Sequence, residues 1–195
     1  MDMSTARDWS DFYEEDEPLE AIKRITSQRP DAVTGKRPSV LDVAAAVLEE
    51  LQLEPVDAWT LQKLCYFIEG RHLAETGLPA FQEPIEAWKN GPVVDRLYQD
   101  HKGGAIVGRV QGDAKKVRSD PVLNEIIERT VRDYRGWSGR QLAELTHSQL
   151  PWLEARTGMA PDQRSRRKIS LASMREWFRL QESLPDTDDD DGPPF

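Results

Sequence analysis

The sequence predicts a mainly α fold: one compact helical domain of six or seven helices with one or two short β-strands, flanked by acidic flexible tails. Three observations carry this. Apolar residues recur at helical rather than alternating spacing through most of the chain. Capping residues, prolines and glycines punctuate those stretches at helix-length intervals. A chain of 195 residues suits a single domain, at roughly 150 residues per domain. No internal repeat is present.

Ser39 and Asp42 form a capping pattern for a first helix, in which Val40, Val43, Ala44, Val47, Leu48 and Leu51 recur until Pro55. A second helix fits residues 58–75, with Leu61, Leu64, Cys65, Ile68 and Leu73 near one face and Gly77 just past its end. Tyr66 and Phe67 widen the apolar surface, so this helix is expected at the centre of the fold. Pro79 and Pro84 bound a loop, Ile85–Trp88 reads as a brief strand, and Asn90-Gly91 as a turn. Pro92 suits the first position of a helix burying Val93, Val94, Leu97 and Tyr98, with Asp95 near its positive end.

Residues 103–119 hold four glycines and a basic cluster. They read as a flexible connector, with a second short strand over 105–110. Asp120-Pro121 opens a helix carrying Leu123, Ile126, Ile127, Val131 and Tyr134, which stops at Gly136. Ser138 and Gln141 form a capping box for a helix with Leu142 and Leu145. Ser148 and Pro151 open a short helix holding Trp152 and Leu153, and Ser170 caps a last one with Leu171, Met174, Trp177 and Phe178.

The formal net charge of -9 comes from 26 basic and 35 acidic residues, and it is unevenly spread. Residues 1–38 carry nine acids against six bases, and residues 183–195 carry five acids and no base. Both read as acidic segments too polar to fold, the first a flexible extension and the second a disordered tail. The domain between them, residues 39–182, has 21 acids against 20 bases. An acidic total disfavours a nucleic-acid partner, but a near-neutral domain imposes no veto on a partner of either sign. Cys65, the single cysteine, rules out an internal disulfide. No apolar run approaches ~18 residues and the N-terminus lacks a secretory pattern, so a cytoplasmic protein with no membrane partner is expected.

No catalytic constellation stands out, and no enzyme activity, cofactor or metal is expected. His72, His101 and His147 lie on separate elements without metal-ligand spacing, and each reads as a structural hydrogen-bonding residue. Cys65 lies two turns from His72, too far for proton transfer, and reads as core. The glycines of 103–112 lack the Gly-Lys-Ser/Thr step of a phosphate loop. Arg164, Arg166, Arg167 and Lys168 read as a solvated basic loop, or next as an interaction patch. Of the six tryptophans, Trp88, Trp137, Trp152 and Trp177 are expected in the core, and Trp59 is available for an interface.

Several strings, in order, resemble one family. They are Leu61-Gln62-Lys63-Leu64-Cys65-Tyr66-Phe67, then His72-Leu73-Ala74 to Gly77, then Ile85-Glu86-Ala87-Trp88-Lys89-Asn90-Gly91-Pro92-Val93-Val94 to Leu97-Tyr98. Leu142-Ala143-Glu144-Leu145-Thr146-His147, Pro151-Trp152 and Ile169 to Phe178 follow. Over residues 39–180 the chain resembles the Panacea domain of SocA-like antitoxins. It departs from the family pattern in having Cys65 for a usual leucine, Phe67 for a tyrosine and Asn90 for a frequent aromatic. The resemblance implies a helical domain that neutralises a toxin encoded beside it by direct protein binding, with no catalytic residues. One branch implies instead an adaptor delivering the toxin to a cytoplasmic protease. The toxin's identity does not carry over.

Within this domain Lys63, Trp88, Lys89, Gly91, Pro92, His147 and Trp152 are the candidate partner-binding residues. Lys63 and Lys89 lead, being polar among apolar neighbours. Each also has a structural explanation: Gly91 and Pro92 shape a turn, Trp88 and Trp152 pack, and His147 ties a helix end. A reading of another class makes the Arg164–Lys168 loop a DNA-binding element of a transcriptional regulator. A hydrolase using His147 has least in its favour.

Overall fold

The computed structural model describes residues 37–52 and 54–183. The chain divides into two units, Met1–Gly35 and Lys36–Phe195, and every described residue belongs to the second. The acidic segments expected at either end lie outside the described residues, apart from Arg37, Pro38 and Ser183. Eight helices and two small antiparallel sheets make up the described residues.

Helix α1 (Val40–Glu50) starts at the expected capping box: Asp42 N–H donates to Ser39 Oγ, and Ser39 N–H to Asp42 Oδ2. Its buried residues are apolar apart from Asp42. Strand β1 (Val56–Asp57) follows and pairs with β4 (Ile106–Val107). The sequence reading missed β1 because two residues show no periodicity.

Helix α2 (Ala58–Thr76) is the centre of the described fold. Of its residues only Trp59, Ala74, Glu75 and Thr76 escape burial. Helices α5 (Pro121–Asp133), α6 (Gly139–His147) and α8 (Leu171–Glu182) pack around it. Phe67 stacks on Tyr134 at 4.3 Å, and Phe178 meets Tyr66 edge-on at 5.7 Å. A helix surrounded this way needs partners for the polar groups it carries, and among the described residues most have them, the buried Tyr66 hydroxyl being the exception. Arg71 pairs with Asp133 at 2.8 Å and donates to Thr130. Glu69 accepts Ala80 N–H, and His72 Nδ1 meets Leu78 O at 2.7 Å. Cys65 is fully buried, which pushes its thiol up and leaves it inert.

Strands β2 (Ile85–Trp88) and β3 (Gly91–Val94) form a hairpin, followed by α3 (Asp95–Asp100). Pro92 therefore sits in a strand, not at a helix start, and the helix begins three residues later. The register explains why proline is tolerated. Ala87 N–H donates to Arg167 O, and Ile85 O accepts Ile169 N–H, so both residues turn their polar groups away from β3. Pro92 and Val94, which face them across the hairpin, likewise point outward, and the missing N–H costs no ladder bond.

The segment expected to be a flexible connector is anchored. Asp113 N–H and Lys116 Nζ both bond Asp42 Oδ1, at 2.9 and 3.1 Å, and α4 (Lys115–Arg118) occupies its end. Gln149 precedes helix α7 (Leu150–Ala155) without a side-chain capping bond, while Ser148 closes α6. Among the tryptophans expected in the core only Trp152 is buried. Trp88, Trp137 and Trp177 are half-buried. No helix among the described residues is long and apolar enough to cross a membrane.

Candidate functional site

The site begins with Asp57, the residue that starts α2. Its Oδ1 accepts the N–H groups of Trp59 and Thr60, both at 3.0 Å; its Oδ2 accepts the Thr60 hydroxyl and, at 3.2 Å, the N–H of Gly139. One carboxylate thus caps α2 and fastens the start of α6 to it. Burial alone would raise its pKa, but the bonds from Thr60, Gly139 and Trp59 outweigh burial and hold it below the ordinary 3.8.

One turn on, Gln62 and Lys63 project onto the outer edge of β3. Gln62 behaves as a short strand: its Oε1 accepts Val94 N–H at 2.9 Å, and its Nε2 donates to Val94 O at 3.4 Å. Its amide also touches His101 Nε2 at 3.3 Å. Lys63, only 1% exposed, donates from Nζ to Pro92 O at 3.0 Å. Burial pulls its pKa from 10.5 to about 7, against the raising influence of Asp57. These two side chains satisfy the backbone that the hairpin register turns outward.

The hairpin turn lies over Lys63. Trp88 faces Gly91 in the register, so Lys89 and Asn90 are the bend. Gly91 takes the positive φ of 97° with which β3 leaves the turn. A Cβ on Gly91 would stand 2.7 Å from Lys63 Cε and 2.8 Å from Thr146 Oγ1. Behind the hairpin, Trp152 Nε1 donates to Trp88 O at 3.0 Å, and His147 stacks on Trp152 at 4.4 Å. Arg156 donates to Ala87 O at 3.1 Å and lies over the Trp152 ring. Burial lowers the His147 pKa, with the Lys63 and Arg156 charges acting the same way.

In front of the hairpin a cleft of about 1160 Å³ opens. Lys63 contributes to its floor; Trp59, 44% exposed, Trp88 and Tyr98 contribute aromatic surface. Lys89, Lys102, Arg140, Arg164 and Arg166 stand around it, and Asp57 is the one acid among its lining residues. Arg166 reaches Asp95 at 3.9 Å and lies 6.0 Å above the Trp88 ring.

The structure thus brings all seven candidates to one hairpin and its supports. Lys63, Trp88 and Lys89 line the cleft; Gly91 and Pro92 hold Lys63; His147 and Trp152 brace the hairpin from behind. Sequence reasoning missed Asp57, Gln62 and Arg156. Gln62 was visible as a polar neighbour of Lys63 in the apolar first half of the helix. Arg156 had no signal, because its other acceptors are the carbonyls of Ala160, Pro161 and Gln163 in irregular chain. The Arg164–Lys168 stretch is more than a solvated loop: its backbone pairs with β2 around Glu86 and Lys168.

The family model for the antitoxin SocA-like, Panacea domain matches residues 61–153. Antitoxin SocA of Caulobacter vibrioides (strain NA1000 / CB15N) is 30% identical over 171 residues, which covers 80% of this chain and 87% of that protein. This chain belongs to the SocA-like antitoxin family. No solved structure matches it. Within the Panacea match lie Gln62, Lys63, the whole β2–β3 hairpin, His147 and Trp152; Arg156, Arg164 and Arg166 lie beyond it.

Proposed function

We propose that this chain is an antitoxin that neutralises a protein toxin encoded beside it by binding the toxin directly, with the cleft in front of the β2–β3 hairpin as the contact surface. What supports this reading is the convergence of Lys63, Trp88, Lys89, Gly91, Pro92, His147 and Trp152 on one hairpin, in a member of an antitoxin family. The half-exposed Trp59 beside exposed lysines and arginines has the composition of an interface anchor with a polar rim.

Co-expression with the product of the adjacent gene tests it. Growth is restored and the two proteins co-purify; Trp59→Ala together with Lys89→Ala weakens both effects while the thermal midpoint holds. A neighbour that is harmless alone, or protection without a complex, overturns the proposal. Toxin half-life in the same cells separates blocking from delivery to a protease, since a blocker leaves the toxin's lifetime unshortened.

A further inference from the structure

The cleft has an electrostatic character that membership of the family does not explain. Five cations stand around it from four separate places: Lys89 at the hairpin bend, Lys102 after α3, Arg140 in the first turn of α6, and Arg164 and Arg166 on the strand-paired loop. Among the described residues Lys89, Lys102 and Arg164 have no carboxylate within ion-pairing distance, while Arg140 pairs with exposed Glu144 and Arg166 only distantly with Asp95. The acid at the cleft, Asp57, spends its oxygens on four donors of its own chain. At the floor, Lys63 has three donors and one acceptor among the described residues, Pro92 O. A buried ammonium in that state has no carboxylate in contact, and Asp57 acts on it only from a distance.

Resting on the reading that a protein partner occupies this cleft, we infer that the segment it takes is acidic: an extended stretch with several carboxylates, one seated over Lys63 and the others spread among Lys89, Lys102, Arg140, Arg164 and Arg166. The spread of the cations favours a chain of separated charges over a compact anion. Single-stranded nucleic acid stacks successive bases on several aromatic rings; here Trp88 is already engaged by Tyr98, edge-on at 5.0 Å, and by Arg166, which leaves Trp59 as the one exposed aromatic ring among the cleft's lining residues. Asp186 and Asp188–Asp191 of this chain carry the same charge as the proposed partner segment, and an arm of the test separates the two sources.

The test uses the full chain and fluorescein-labelled hexaglutamate, read by anisotropy at low salt, with a labelled oligothymidylate beside it. Hexaglutamate is expected to bind and to be released by salt. Lys89→Glu with Lys102→Glu and Arg164→Glu, all exposed positions, weakens it about tenfold or more. Calorimetry in two buffers of different ionisation enthalpy shows proton uptake on binding near pH 8, which Lys63→Met abolishes. Oligothymidylate binding with the same dependence and no hexaglutamate binding overturns the inference in favour of nucleic acid. Hexaglutamate binding that appears only after Asp186, Asp188, Asp189, Asp190 and Asp191 are changed to Asn overturns it in favour of the chain's own tail. A toxin complex indifferent to the triple reversal also overturns it and leaves the antitoxin reading standing. If the native chain captures no toxin, that reading falls while the peptide measurements still decide the chemistry of the cleft.

Discussion

Gly91 and Lys63 depend on each other. The glycine's positive φ and missing Cβ leave the space in which the lysine reaches Pro92 O. Gly91→Ala introduces both backbone strain and a contact near 2.8 Å with Lys63 Nζ, and is expected to cost about 2–4 kcal/mol. Chemical denaturation of the two proteins measures it. Lys63→Met is the informative partner variant. It removes a buried charge that has a single acceptor, so at pH 7 it is expected to leave stability unchanged or to raise it, while toxin capture weakens. A variant that binds toxin normally removes Lys63 from the contact.

At the scale of elements, the hairpin is stabilised mainly from outside its own ladder. Gln62 and Lys63 satisfy one edge, the 167–169 segment the other, and Trp152 the end. An isolated two-stranded hairpin is marginal in water, so the cleft wall is only as rigid as α2 and α7 make it. Asp57 holds α2 and α6 together. Replacing it by alanine removes two helix-capping bonds and leaves Gly139 N–H without its partner. A loss of about 2–3 kcal/mol is expected, beyond the ~1 kcal/mol of an ordinary cap. Ser138→Ala, which removes only the capping box of α6, is the control, and thermal unfolding of both variants separates them. Gly70 shows the same economy: a Cβ there would run into the Phe178 ring, so the glycine is what lets α8 approach α2.

For the whole molecule, two groups that burial brings to titrate near neutrality give a distinctive pH profile. Glu69 is raised by burial from 4.5 to about 7, so between those values the folded state holds a proton that the unfolded chain has lost, and stability falls as pH rises. Lys63 is lowered from 10.5 to about 7. Between about 7 and 10.5 the unfolded chain holds the extra proton, and stability rises with pH. Together they place a minimum near neutrality, with flanking slopes of up to ~1.4 kcal/mol per pH unit from each group. Denaturation midpoints across pH check this: Lys63→Met flattens the alkaline limb and Glu69→Gln the acid limb. Midpoints that vary monotonically through neutrality in the native chain contradict it.

Much of this was legible in the sequence for a local reason. Helix starts depend on side chains a few residues away at most, so Ser39 with Asp42, Asp120 with Pro121, Ser138 with Gln141 and Ser170 were visible as caps, as was the central place of an α2 apolar over much of its girth. The family strings, too, are local. Pro92 was misread because its setting is decided across the hairpin and by Arg167, some seventy-five residues on, so its immediate neighbours carry no trace of it. Lys63 stood out as polar among apolar residues, but nothing in its neighbourhood said that Pro92 O would be its acceptor or that a ring of cations from four elements would surround it. Residue type and short-range spacing determined the elements, the caps and the family. Only the packing of distant segments decided which charges share a cleft, because burial and counter-charge are properties of three-dimensional neighbours.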